Sequence, residues 1–181
     1  LGCKIIAVSD SQGGIMNIVT GGARIGRPVC VGVGRVHYGL TRWIGTHGRS
    51  AAESYRSIPS TGEIRPGEKI VVIGAAGPMG LMHVIRCVTS GVTGLELVAV
   101  DVDDSRLSAL DAKTSPAAKA HCAGLRFVNS RMEPAPGGAT YVTLMVPAAS
   151  LVADAVSTCG DKCVINIFAG IPAATCEPLD L

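Results

Sequence analysis

Aromatic residues make up only 3% of this 181-residue chain, so its core cannot be assembled from packed rings. Val, Ile, Leu, Ala and Met must fill it instead, within a hydrophobic fraction of 48%. The seven cysteines contain no C-x-x-C pair and lie scattered, mostly in apolar runs, which reads as reduced thiols rather than a disulfide framework. Cys159 and Cys163 are close in sequence, but Gly160-Asp161-Lys162 between them reads as a turn leading into a strand, not as a metal lobe. Blocks of Lys and Arg are missing too. The net charge of +2 comes from interspersed signs, and that argues against a nucleic-acid partner. There is no run of about 18 apolar residues for a membrane span and no secretory-leader pattern, so the expected setting is cytoplasmic.

What is present suits an α/β domain. The length is sufficient to bury a core without metal or disulfide staples, and 23 glycines supply turns and close backbone contacts. The chain opens on Leu1 rather than Met and stops soon after Pro178-Leu179, as expected of a fragment or excised domain.

The densest signal is Lys69 to Arg86, KIVVIGAAGPMGLMHVIR. Ile70 to Ile73 read as a fully buried strand, while Met79, Met82, Val84, Ile85 and Val88 give the next segment a broad apolar helical face. Between them lies Gly74-Ala75-Ala76-Gly77-Pro78-Met79-Gly80, a G-x-G-x-x-G turn with Ala75 in its first position. Such a turn bends strand into helix and leaves a bare surface at Gly77 for a pyrophosphate. It also lets helix and sheet approach at Gly80, with the N–H groups of the helix start facing the phosphates. The next strand-like run, Leu95 to Val100, ends in Asp101, 21 residues after Gly80. An acid there can accept both ribose hydroxyls of an adenosine and would repel a 2′-phosphate, which favours NAD over NADP. Alternatively, Asp101 joins Asp103, Asp104 and Ser105 in capping a helix that begins near Arg106.

Strands and helices alternate onward: strand 69–74, helix 78–89, strand 95–100, helix 104–112, strand 125–129, strand 141–146, helix 148–157 and strand 163–169. This is the order of an α/β fold, a doubly wound and mostly parallel Rossmann-like sheet flanked by helices. Pro116 and the alanines after it suggest a further helix of uncertain start, and the loop 131–140 is where the winding reverses. Upstream, Lys4 to Val8, Arg27 to Val33 and Leu40 to Gly45 read as strands. Residues 1–60 would complete or extend the sheet of a domain covering 61–181. Gly26 to Gly34 parallels Gly160 to Gly170 as turn, strand and glycine, a pattern that either recurs in any α/β protein or marks a related unit.

Arg65-Pro66-Gly67-Glu68-Lys69, the glycine turn, Asp101 with Arg106-Leu107, and Asn166 through Pro172 together resemble the medium-chain dehydrogenase/reductase superfamily, most of all its zinc-type alcohol, polyol and sugar-phosphate dehydrogenases. The resemblance covers roughly residues 60–181. It implies that Gly77, Pro78 and Met79 lie along the pyrophosphate, with Gly74, Ala76 and Gly80 also at the cofactor, while Asp101 takes the ribose and Arg106 flanks the adenine. Met145, Val146 and Pro147, with Phe168, Ala169 and Gly170, would border the nicotinamide. His37 to Gly48 resembles a segment that the family carries downstream of its glycine turn, whereas here it stands upstream. The Cys, His and Glu ligands of the family's zinc domain are not found; His83, within the helix after the glycine turn, reads as a packed or capping histidine, and His37, His47 and His121 do not make up a metal site or charge relay. Catalytic residues are therefore unassigned, and zinc would have to come from a missing domain. The expected function is the nicotinamide-dinucleotide domain of an oxidoreductase acting on a polyol or sugar phosphate, with a possible homodimer through a sheet edge. The alternative is a non-catalytic nucleotide-sensing or scaffolding module.

Overall fold

A computed structural model describes residues 13–58 and 64–180. The chain divides into two compact units, one of Leu1–Ser60 with Ile171–Leu181 and one of Thr61–Gly170.

In the first unit, β1 (Ile15–Val19) runs parallel to β3 (Arg42–Thr46), and β2 (Val29–Val31) pairs antiparallel with β9 (Glu177–Leu179). Two short helices accompany them, α1 (Gly34–Tyr38) and α2 (Ala51–Ser57). Ser50 caps α2, its hydroxyl accepting from the Ala52 N–H at 3.3 Å. The strand expected at 40–45 is present, but β3 hydrogen-bonds to β1 in its own two-stranded sheet and does not extend the larger one. Residues 171–181, read from sequence with the second domain, group with the first unit because β9 pairs with β2. The strand expected at 4–8 lies outside the described residues.

The second unit is a five-stranded parallel sheet with helices on its faces, a doubly wound Rossmann-like α/β fold. Its strands are β4 (Lys69–Ile73), β5 (Leu95–Asp101), β6 (Cys122–Asn129), β7 (Ala139–Leu144) and β8 (Cys159–Ile167), ordered β6-β5-β4-β7-β8. The chain winds outward from β4 to β6, returns through the 131–138 loop, and then winds the other way from β7 to β8. The reversal expected in that loop therefore opens a switch point between β4 and β7, which are hydrogen-bonded neighbours.

The helices are α3 (Pro78–Thr89), α4 (Asp104–His121) and α5 (Ser150–Thr158). Ile70, Val72, Leu97 and Ala99 are at most 1% exposed and form the core with Val84, Cys87 and Val88 of α3 and Leu110 of α4. Full burial of each aliphatic side chain contributes roughly 1.5–3 kcal/mol, which explains how the core forms with so few rings.

Two expectations are corrected here. The helix expected at 104–112 continues unbroken to His121 with Pro116 inside it. Proline removes one helical hydrogen bond, but buried Leu107, Leu110, Thr114 and Ala118 form one stripe that spans the interruption. Strands β6 and β8 also begin earlier than their apolar runs suggested: pairing with β5 takes in Cys122 and Gly124, and Cys159 pairs with Ala139, the β8 register being irregular from there to Val164.

Candidate functional site at the carboxyl end of the parallel sheet

The turn after β4 takes its left-handed residue at Gly74, φ 82°, one position before the motif's first place. A side chain there would also strike Val146, whose Cγ2 lies 2.4 Å from the position a Cβ would take. Gly80 is constrained by packing: its Cβ would sit 2.0 Å from the Gly74 carbonyl oxygen and 2.6 Å from the Ala75 Cα. Gly77 is different. A Cβ on it would meet nothing nearer than the Gly74 carbonyl oxygen at 3.4 Å and the Arg106 Nη2 at 3.6 Å, so the fold itself leaves room for a methyl group. That room lies at the start of α3, where Gly77 is the N-cap, no side chain caps the helix, and Pro78 has no N–H to satisfy.

Asp101 closes β5 and is 7% exposed. Its Oδ2 accepts from the Ala76 N–H at 3.0 Å and its Oδ1 from the Val102 N–H at 2.8 Å. The carboxylate thus ties the glycine turn to the end of the neighbouring strand. The capping role belongs to Asp103, whose Oδ1 accepts from the Arg106 N–H at 3.0 Å. The Ala76 N–H, expected to face a phosphate, is engaged by Asp101. A carboxylate has about four lone-pair directions, so two accepted hydrogen bonds leave Asp101 able to take two more. Arg106 Nη2 stands 3.8 Å from Oδ2 with a half-exposed side chain, a weak solvent-screened pair.

Beside this acid lies an open groove of about 620 Å³, lined by Val102, Asp103, Asp104, Ser105, Arg106, Asn129, Arg131 and Met132. Sequence reasoning picks out Arg106 as a contact but misses Asn129 and Arg131. The available signal is positional, since Asn129 ends β6 just as Asp101 ends β5, and the two are paired in register. Asn129 Nδ2 donates to Asp104 Oδ1 at 2.8 Å, which fixes the groove's wall to the first turn of α4.

On the other side of the switch point, the Met145 N–H donates to the Ile73 carbonyl at 2.9 Å and the Ala169 N–H to the Leu144 carbonyl at 3.0 Å. These bonds bring Met145 and Val146 beside the glycine turn and set Phe168 and Ala169 next to them. Ala169 is buried and Phe168 is 38% exposed, its ring centroid 6.4 Å from that of His83 on α3. Burial, and secondarily the Arg86 charge, lower the His83 pKa from its ordinary 6.5. Pro147 is exposed at the end of the same segment and Gly170 follows Ala169. Among the described residues no group of three or more His, Cys, Asp and Glu is placed to hold a metal ion. No helix among them is long and apolar enough to cross a membrane.

No protein-family model matches the chain. It is similar to the uncharacterized protein YggP of Escherichia coli (strain K12), 27% identical over 108 residues, which is 59% of this chain and 22% of YggP. The chain thus spans about a fifth of the length of that curated relative, 22%. Among solved structures it is similar to alcohol dehydrogenase TADH from Thermus sp. ATN1, with a TM-score of 0.46 and 22% identity over 58% of this chain and 30% of that one. A variant lactate dehydrogenase of Trichomonas vaginalis in its apo form gives a TM-score of 0.40 and 19% identity over 51% of this chain and 30% of the other. A SAM-dependent methyltransferase from Thiobacillus denitrificans, in complex with S-adenosyl-L-homocysteine, gives 0.43 and 7% identity over 56% of this chain and 42% of its own.

Proposed function

We propose that the Thr61–Gly170 unit binds a nicotinamide dinucleotide, NAD in preference to NADP, as the cofactor half of an oxidoreductase of the medium-chain type acting on an alcohol, polyol or sugar phosphate. The observation that carries this reading is the open space at Gly77. The fold does not need that position bare, whereas a pyrophosphate lying against the uncapped start of α3 does. Gly77, Pro78 and Met79 would hold the phosphates, Asp101 the adenosine ribose, and the groove along Arg106 and Asn129 the adenine. Met145, Val146 and Pro147, with Phe168, Ala169 and Gly170, would bound the nicotinamide end.

Charge supports NAD over NADP. The groove's two arginines are matched by Asp103 and Asp104, and Asp101 adds a third acid where a 2′-phosphate would have to sit. When bound, the nicotinamide supplies a hydride acceptor or donor. The chain's own residues orient it, and the buried strand ends exclude water from one side. Zinc chemistry, where it operates, would be supplied from outside the described residues. Strand β8 is a sheet edge, and pairing of two such edges would give the homodimer. Sedimentation velocity would show a dimer, and a concentration-independent monomer would remove that part of the reading.

Calorimetry tests the binding. NAD(H) is expected to bind in roughly the micromolar range and NADP(H) more weakly, with Asp101→Ala losing about 10–100-fold in NAD(H) affinity through its charged hydrogen bonds. A folded sample that takes up no adenine dinucleotide overturns the proposal.

A further inference from the structure

We propose that Cys159 and Cys163 form a reversible intramolecular disulfide, a thiol-oxidation site at the start of β8 whose oxidant is a low-molecular-weight disulfide such as oxidised glutathione.

The register of β7 with β8 places the two thiols. Ala139 pairs with Cys159 and Tyr141 with Val164, so two steps on β7 are matched by five on β8 and the surplus residues must loop out. The loop is tightly built. Gly160 backs onto the start of β7, where a Cβ would stand 3.1 Å from the Gly138 carbonyl carbon and 3.2 Å from the Ala139 oxygen. Lys162 then takes the left-handed region, φ 58°. Cys159 and Cys163 are the two feet of this loop. The register mismatch draws these feet together, and each thiol lies near enough to shift the other's ionisation. Cys159 Sγ also reaches the Ala155 carbonyl at 3.2 Å, which holds it at the end of α5.

The pair is chemically unequal. The Cys163 thiol lowers the Cys159 pKa against the opposing effect of burial, while Cys159 and burial push the Cys163 thiol up. Cys159 is thus the attacking group and Cys163 the resolving one. Both are partly exposed, unlike Cys87, which is buried in the core and pushed up to about 12. In the first step the Cys159 thiolate attacks one sulfur of oxidised glutathione, forming a mixed disulfide and releasing one glutathione thiolate. Cys163 then loses its proton to solvent and attacks the Cys159 sulfur, releasing the second. Two protein thiols are oxidised by two electrons, and one glutathione disulfide is reduced to two thiols.

The sequence provides a direct readout, because Lys162 lies between the cysteines. After incubation of the wild-type protein in graded glutathione buffers, acid quench and alkylation, trypsin would separate peptides 132–162 and 163–181 unless a disulfide joins them. The joined pair is expected in oxidising buffer and is expected to separate on reduction. The second peptide also carries Cys176, so Cys176→Ser should retain the link and Cys159→Ser should lose it. Cys163→Ser should accumulate glutathione on Cys159. Failure of the natively folded wild-type protein to give the joined peptides in excess oxidised glutathione overturns the proposal, as does loss of the link in Cys176→Ser. These outcomes do not depend on dinucleotide binding.

Discussion

Gly77 and Gly80 stand in one turn for different physical reasons, and substitution separates them. Gly77→Ala meets only ordinary contacts and keeps an extended N-cap backbone, φ −74° and ψ 167°, so its stability should fall by less than about 1 kcal/mol. Its NAD(H) affinity should nonetheless drop at least about tenfold, since the methyl group occupies the space that the proposed function gives to phosphate. Gly80→Ala drives a Cβ into the Gly74 carbonyl and should lose about 1–3 kcal/mol in denaturant unfolding whether or not cofactor is present. Equal effects of the two variants on stability would contradict this division. His83 gives a pH signature. Folding lowers its pKa below 6.5, so the unfolded chain binds the proton more readily, and stability should decline as pH falls through 6.5 toward the folded value. Urea midpoints measured between about pH 5 and 7 should show this slope, and His83→Gln should flatten its share of it.

At the scale of elements, the parts most easily read from sequence are those with unbroken apolar periodicity. Helix α3 occupies 78–89 as expected, because Pro78 fixes its first turn, but its buried residues are Gly80, Val84, Cys87 and Val88, whereas Met79, Met82 and Ile85 of the expected apolar face are exposed. Helix α4 shows the limit of local reasoning. Its proline marks a boundary by propensity, yet packing of the 107/110/114/118 stripe overrides it. Pro116→Ala should therefore stabilise the unit by about 1–3 kcal/mol, restoring the Ala112 carbonyl's partner, and thermal unfolding would register the rise. No change or a lower midpoint would mean that the ring itself contributes packing. The short elements β1, α1, α2 and β9 escape sequence reasoning, since three to seven residues carry too little periodicity to stand out.

For the whole molecule, binding and stability are linked. NAD at about a hundred times its dissociation constant should add about 2.7 kcal/mol to the stability of the unit that holds it. Calorimetric unfolding with NAD, NADP and neither should reproduce the affinity order as an order of midpoints. NADP raising the midpoint more than NAD would reverse the specificity argued from Asp101. The candidate site draws on β4, β5, β6, β7 and β8 and on the first turns of α3 and α4, so its parts are far apart in sequence while all lie at the carboxyl end of one sheet.

The sequence by itself determined the α/β alternation, the glycine elbow and the acid that follows it, because strand and helix periodicities and the needs of a tight turn are local. The tertiary structure decided what those residues touch. Only the folded turn shows that Gly80 is held by packing and Gly77 is left open, and only the pairing of β4 with β5 puts the Asp101 carboxylate on the Ala76 N–H. The proposed pairing of Cys159 with Cys163 likewise rests on the mismatch between β7 and β8. Each depends on which strands lie side by side, and that is set by burial across the whole sheet rather than by any one segment.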